Sequence, residues 1–268
     1  MKISGTLAVV TGASSGIGAA TARALARKEA RVLLLARTAD ALDRIAGEIA
    51  AVGGWAKAHP VDLADPIAVE QVASAIKTES GTPDILVNNA GAGPWLFTEE
   101  TSPAEAAQMM AVPYFAAFNV TRAFLPEMIR RKRGHIVNVT SAAAYIVFPG
   151  ATAYTAARWA MRGFTEALRL DLHGTGIGVT LVAPGLVAGT GYFKHNPGAE
   201  ERIPKAARLY PTLTAEQLAA AIARGIEDDK REVGMGFRYR MTALQSALLP
   251  WTVEWLTRTT GWKRREGA

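Results

Sequence analysis

The 268-residue chain contains no cysteine, which excludes disulfide staples, a thiol nucleophile and thiolate metal sites and fits a reducing compartment. Histidine is scarce too, with four in all. His195 has no second His or carboxylate at ligand spacing, so no metal site is expected. Long apolar runs are missing. The longest, about Met241 to Leu256, is interrupted by Gln245, Ser246, Pro250 and Glu254 and falls short of the ~20 residues that a membrane-spanning helix needs. It can lie on a membrane but not cross one. The N-terminus offers one lysine and then Ile3-Ser4-Gly5, without the basic, apolar and small-residue regions of a secretory signal. A cytoplasmic protein is expected, touching a membrane at most peripherally. There is no internal repeat, low-complexity linker or nucleic-acid recognition module. Thirty Lys plus Arg against 24 Asp plus Glu leave a net charge of +6 and a pI of about 9.7. That excess admits a phosphate-bearing cofactor or an acidic lipid surface. Its scatter along the chain argues against a nucleic acid.

What is present is globular in composition, 49% hydrophobic and 20% charged, enough for a full core. Short β-branched or Leu-rich runs alternate with helical patterns, most clearly at Leu7-Val10, Val32-Leu35, Ile85-Val87, His135-Val139 and Val179-Val182. This is the pattern of βαβ units on a parallel sheet buried on both faces. Helix starts are marked by Asp65-Pro66 and by the capping box Ser102-Pro103-Ala104-Glu105. The chain reads as α/β, a single doubly wound parallel sheet of Rossmann type with helices on both faces, one domain over 1–268. A weaker strand is expected near Glu232 to Gly236. Residues 186–214 lack periodicity and read as a substrate loop. Residues 238–260 read as an amphipathic helical segment, with Met241, Leu244, Leu248, Trp251 and Trp255 between Arg238, Arg240 and the basic end Lys263-Arg264-Arg265.

The residues Thr11-Gly12-Ala13-Ser14-Ser15-Gly16-Ile17-Gly18 stand directly after the first strand run and before a helical pattern. Glycines there let backbone N–H groups and a helix N-terminus approach a pyrophosphate. The second strand ends in Ala36-Arg37, where an NAD-preferring fold commonly carries an acidic residue. An arginine suits a ribose 2'-phosphate instead, which favours NADP(H) over NAD(H).

Further along come Asn88-Asn89-Ala90-Gly91, Ser141, Tyr154 thirteen positions later, and Pro184-Gly185. Taken in order with the glycine turn, these motifs closely resemble the short-chain dehydrogenase/reductase family over roughly residues 5–190. The resemblance implies an oxidoreductase in which Tyr154 is the general acid/base and Ser141 polarises the substrate oxygen. Residue 158 would hold the nicotinamide ribose and lower the tyrosine pKa. It also implies cofactor contacts from Gly12, Ser14, Ser15, Gly16, Ile17 and Gly18, from Arg37, Asp62 and Leu63, from Asn89, Ala90 and Gly91, and from Tyr154, Arg158, Pro184, Gly185 and Val187. Two positions depart from the family pattern. Arg158 replaces the lysine, keeping the charge but not the exchangeable proton. Pro113 stands where the relay asparagine is expected and should kink its helix.

Trp95, Leu96, Leu186, Tyr192, Phe193, Leu209 and Tyr210 surround the expected substrate position, with Lys194 and His195 as scattered polar groups. An apolar ketone or aldehyde and its alcohol fit such a lining. Tyr145 is either a further phenol near the site or a packing aromatic. The altered tetrad leaves two readings, an NADP(H)-dependent carbonyl reductase or alcohol dehydrogenase, and an NADP(H)-binding sensor or scaffold with lost or very weak turnover. The helix through Phe115, Phe118 and Phe124 resembles the family's subunit-pairing helix, implying a homodimer or homotetramer. The C-terminal segment is open between capping the pocket, pairing subunits, resting on an anionic membrane and packing on its own domain.

Overall fold

A computed structural model describes residues 1–91 and 93–262, without the side chains of His195 and Arg208. The basic run Lys263-Arg264-Arg265 lies outside the described residues. Along the first half run β1 (Leu7–Thr11), α1 (Gly16–Arg27), β2 (Arg31–Ala36), α2 (Ala39–Ala50), β3 (Trp55–Pro60), α3 (Pro66–Ser80), β4 (Ile85–Asn88), α4 (Pro103–Met110) and α5 (Ala116–Arg131). Then come β5 (Gly134–Val139), α6 (Thr152–Asp171), β6 (Ile177–Val182), β7 (Val187–Ala188), α7 (Tyr192–His195), β8 (Leu213–Thr214), α8 (Ala215–Glu227), β9 (Glu232–Val233), α9 (Phe237–Leu248) and α10 (Pro250–Thr260).

Seven strands form one parallel sheet in the order β3-β2-β1-β4-β5-β6-β9. This is the doubly wound α/β fold expected from the alternation, and the weak strand at Glu232 does extend the sheet. Alternate residues of each strand serve opposite cores, as the two-residue period of a strand demands. Val10, Val32, Leu34, Val87 and Val139 pack with Leu25, Ile45 and Ile222 on one face. Val9, Leu33, Leu86 and Ile136 pack with Val120, Phe124 and Met128 on the other.

The helix starts carry their capping chemistry. Asp65 Oδ1 accepts from the N–H groups of Ile67 and Ala68, at 2.8 and 3.2 Å. Ser102 Oγ accepts from Glu105 N at 3.2 Å while the Glu105 carboxylate accepts from Ser102 N at 2.8 Å. Pro113 sits in a five-residue π-turn, Ala111–Phe115, that joins α4 to α5, because a proline can neither donate to the ladder nor let its ring pass the preceding carbonyl. The helical segment expected over 238–260 is two helices. Leu249 leaves helical geometry at φ −136° and Pro250 starts the next helix, since the residue before proline is driven from the helical region. Along α5, Phe118 is exposed and Phe124 is buried. Six residues at 100° each place them on different sides of the helix, so Phe124 belongs to the core and not to an outward face.

His135 on β5 is buried, its Nε2 2.8 Å from Thr180 Oγ1, which itself donates to the Lys230 carbonyl at 2.6 Å. Burial pushes the imidazole down to about 4 from 6.5, against a smaller raising effect of Asp229. The folded chain therefore holds this ring neutral while the unfolded chain protonates it below 6.5. The resulting stability is full above pH 6.5 and is lost as the pH falls towards 4, a contribution of about 3 kcal/mol. Urea denaturation of wild type and His135→Gln at pH 7 and pH 5 checks this. The wild type should lose more stability between those two values than the variant, and equal losses would assign the effect elsewhere.

Candidate active site

The cleft begins where β1 ends. Thr11 Oγ1 donates to the Val87 carbonyl at 3.3 Å and accepts from the N–H groups of Asn89 and Ala90 at 2.9 and 3.0 Å. Asn89 Nδ2 returns the tie by donating to the carbonyls of Thr11 and Gly12, at 3.1 and 3.3 Å. The ends of β1 and β4 are thereby held so close that a Cβ on Gly12 would stand 2.9 Å from Ala90 Cα. Gly12 and Gly16 have φ of +63° and +51°, which side chains rarely adopt. The turn leads into the N-terminus of α1, whose first turn carries no acidic residue and whose Ser15 side chain makes no capping bond. Ser14, Ser15, Gly16 and Ile17 border the cleft, so the site offers unspent N–H groups, hydroxyls and a positive helix end to an anion.

The cleft holds about 680 Å³. Of the residues singled out from sequence as cofactor contacts, Gly12, Ser14, Ser15, Gly16, Ile17, Arg37, Asp62, Leu63, Asn89, Ala90, Gly91, Tyr154, Arg158, Pro184, Gly185 and Val187 all line it, as does Ser141. Gly18 does not. It lies beneath the turn, where a Cβ would meet the Gly12 carbonyl oxygen at 2.2 Å and Asn89 Nδ2 at 2.6 Å. Arg37 is exposed at the end of β2 and forms no ion pair among the described residues.

Ser141 follows β5, its Oγ accepting from Ala143 N at 3.2 Å. Tyr154 and Arg158 lie one turn apart on α6, and the guanidinium carbon stands 4.7 Å from the centre of the Tyr154 ring, a cation–π contact. Trp95 and Tyr192 flank the same ring, with centroids at 5.8 and 6.4 Å. Arg158 is 5% exposed, has no ion pair among the described residues, and its Nε has no hydrogen-bond partner. A buried guanidinium left so is costly, and its free Nε could donate to an acceptor-rich ligand. Gly91 lets it sit there, because a Cβ on Gly91 would meet Pro113 Cβ at 3.1 Å and Arg158 Nη1 at 3.2 Å. Pro113 thus stands behind Gly91 and Arg158 without lining the cleft.

The remaining sequence candidates divide. Trp95, Leu186, Tyr192, Phe193 and Tyr210 line the cleft, whereas Leu96, Lys194 and Leu209 do not. The Tyr192 phenol donates to the Gly93 carbonyl at 2.6 Å; burial first, and then the neighbouring Tyr154, push its pKa well up. Tyr145 lies off the cleft, donating to Glu232 at 2.5 Å under the Arg162 guanidinium, 3.9 Å from its ring centre. Burial and Glu232 hold it protonated, so it is a packing aromatic. Capping the pocket was one of the roles open to the C-terminal segment, but the sequence did not single out the residues that wall the cleft, Tyr239 and Thr242 of α9 and Val253, Leu256 and Thr257 of α10. Their signal was there, in the spacing 239/242 and 253/256/257. Gly185 admits that wall, because a Cβ there would be 2.2 Å from the Tyr239 ring.

The short-chain dehydrogenase profile matches residues 6–200. The chain belongs to the short-chain dehydrogenase/reductase family. It is similar to a probable oxidoreductase, EphD, of Mycobacterium tuberculosis, at 39% identity over 202 residues, 73% of this chain and 34% of that protein. The chain thus spans about a third of the length of that relative. A 1-deoxy-11-beta-hydroxypentalenate dehydrogenase of Streptomyces exfoliatus is 38% identical over 187 residues, 67% of this chain and 66% of the relative. Among solved structures, a metagenomic short-chain oxidoreductase in complex with NADP superposes with a TM-score of 0.74 at 34% identity, over 88% of this chain and 98% of that one. A family member from Burkholderia phymatum in complex with NAD does so with a TM-score of 0.82 at 25% identity, over 99% of each chain.

The turn's close packing has a measurable consequence for stability. Gly18→Ala should lower stability by about 1–3 kcal/mol through overpacking. Gly47→Ala, on the exposed side of α2 with nothing near its Cβ position, should raise it by about 0.5–1 kcal/mol. Thermal denaturation of both variants checks the pair, and an unchanged Gly18→Ala midpoint would contradict the packing argument.

Proposed function

We propose that the chain is an NADP(H)-dependent oxidoreductase that interconverts an apolar ketone or aldehyde and the corresponding alcohol. The observation that carries this reading is the convergence of Ser141, Tyr154 and a buried, unpaired Arg158 on the cleft that also contains the α1 N-terminus. These residues fit a nicotinamide dinucleotide. The Gly12–Ile17 turn with Ser14 and Ser15 would hold the pyrophosphate. Asp62, Leu63, Asn89, Ala90, Gly91, Pro184, Gly185 and Val187 would line the cofactor's path. Arg37, free of carboxylate partners among the described residues, would take a ribose 2'-phosphate. When bound, such a cofactor supplies or accepts the hydride.

The chain's own groups handle the proton and the geometry. Tyr154 Oη gives its proton to the substrate oxygen in the reductive direction and takes it back in the oxidative one. Ser141 Oγ donates to the same oxygen as negative charge develops there. Arg158 donates to ribose hydroxyls and keeps a positive charge against the phenol ring, but a guanidinium does not release protons. It positions and charges the site without relaying. Trp95, Phe148 and Tyr192 wall the Tyr154 ring and keep water from it. Arg37, Asp62 and Arg158 are the charged side chains that line the cleft among the described residues. The end formed by Trp95, Ile146, Phe148, Val253 and Leu256 therefore suits an apolar substrate.

NADPH oxidation against a panel of apolar ketones and aldehydes tests the reading, with NADH as the cofactor control. Turnover should fall by about 10²–10⁴-fold in Tyr154→Phe. Arg37→Glu should weaken NADPH use by about 10–100-fold and leave NADH nearly untouched, since it removes one charge-assisted phosphate contact. NADPH binding with no turnover across the panel, and no effect of Tyr154→Phe, would instead favour the sensor or scaffold reading that Pro113 and Arg158 raise. Equal losses with both cofactors would overturn the role of Arg37.

The same proposal includes a homo-oligomer. Phe115 of the π-turn and Phe118 of α5 are exposed side by side with the Tyr114 and Phe164 rings, an apolar face that a second copy would cover. Light-scattering mass should show a multiple of 28.5 kDa that drops in Phe118→Arg; an unshifted mass in the variant would contradict this face.

A further inference from the structure

The two C-terminal helices bear different chemistry on their two sides. Inward, Tyr239, Val253 and Thr257 are buried and wall the cleft. Outward, α9 displays Phe237, Met241, Leu244 and Leu248, spaced i, i+4, i+7, i+11, and α10 displays Trp251 and Trp255, spaced i, i+4. Each set is a single stripe on its helix. These side chains are bare: Phe237 is 77%, Leu248 69%, Trp251 67% and Trp255 66% exposed. A contiguous apolar surface of this kind is uncommon unless something covers it.

Charge decides what that is. Arg238, Arg240 and Arg258 are exposed on the same two helices, and none forms an ion pair among the described residues. Arg238 Nη1 spends one donor on the Leu209 carbonyl at 2.8 Å. Glu254 is the one acidic residue in the two helices. The sequence then continues into Lys263-Arg264-Arg265-Glu266, a further net positive charge along the chain. A second copy seated face to face would set these arginines near their own images with only Glu254 to offset them, which like-charge repulsion disfavours. An anionic lipid surface meets both halves of the pattern. Tryptophans suit the headgroup level, the aliphatic and Phe side chains the acyl boundary, and the arginines the phosphates.

We propose that the outer face of α9 and α10 seats this protein on an anionic lipid bilayer. With 12 and 11 residues the helices are too short to cross it, and no helix of the described residues is long and apolar enough to do so. They lie in its surface plane. Because their inner sides wall the cleft, a seated molecule holds that cleft directly over the lipid. The proposal rests on the outer face alone and stands or falls apart from the reading of the cleft as a reductase site.

The full chain is sedimented with vesicles of phosphatidylcholine and of an equal mixture of phosphatidylcholine and phosphatidylglycerol, at low and high salt. The partition coefficient should be at least about tenfold higher on the phosphatidylglycerol vesicles and fall with salt. The triple variant Leu248→Ser, Trp251→Ser, Trp255→Ser should lose about tenfold or more, and Arg238→Glu with Arg240→Glu should lose the preference for anionic lipid. Unchanged circular dichroism and thermal midpoints in both variants show that the loss is not unfolding. Equal binding to the two vesicle types, or no binding to either, overturns the proposal. So does a wild-type dimer by light scattering that the triple variant converts to monomer, which would give this face to a second copy.

Discussion

The geometry of the cleft depends on one polar tie, the Thr11 hydroxyl and Asn89 amide that bind the end of β1 to the end of β4. These strands are neighbours at the point where the sheet order turns from β3-β2-β1 to β4-β5-β6. The helix after β1 packs on one face and α5 on the other, so a crevice opens at the strands' carboxyl ends. Closing that edge with side chains large enough to cover it would fill the crevice. A threonine, an asparagine and glycines close it with hydrogen bonds and bare backbone instead, leaving the N–H groups of the turn facing the open space.

A second set of polar ties places α6, and with it Tyr154 and Arg158. Asn138 Nδ2 donates to Thr165 Oγ1 at 3.0 Å, and Thr140 Oγ1 donates to the Arg158 carbonyl at 2.9 Å. Asn88 Nδ2 joins the same network through Asn138 Oδ1 at 2.8 Å and Thr121 Oγ1 at 3.0 Å. Apolar packing alone tolerates small slides of a helix along a sheet, whereas buried hydrogen bonds hold only in one register. The strand that leads to Ser141 and the helix that carries Tyr154 are therefore fixed to each other. Among the described residues Arg158 is left buried without a counter-charge, a cost that a rigid frame can sustain.

The C-terminal helices extend the family frame in both directions. Their buried side completes the apolar end of the cleft, and Gly185 is what allows Tyr239 to reach it. The segment 186–214 meets them through Tyr210, whose ring lies 4.3 Å from that of Tyr239 and whose hydroxyl is 2.6 Å from Thr242 Oγ1. Farther along, Arg202 ties the same loop to Glu100 at 2.5 Å and stacks on Phe97 and Trp262, each 5.6 Å from its guanidinium. The loop that looked aperiodic in sequence is thus held by contacts between segments far apart in the chain.

Period-two and period-3.6 apolar patterns, caps such as Asp65 and Ser102, and the ordered glycine, asparagine, serine and tyrosine motifs act over a few residues. The sequence by itself therefore determined the order of the main strands and helices, the doubly wound class, and most of the residues that border the cleft from Gly12 to Val187. It did not show that Gly18 serves beneath the turn, that Phe124 faces the core, that Tyr145 is spent on Glu232, or that the segment 238–260 breaks at Pro250 into two helices with Met241, Leu244, Leu248, Trp251 and Trp255 exposed. Nor did it show that Arg158 would be left without a carboxylate. Each of these depends on which distant groups meet, and that is set by how the helices seat on the sheet. Only the tertiary structure decides such meetings, because burial and hydrogen-bond pairing belong to pairs of segments rather than to a stretch of chain.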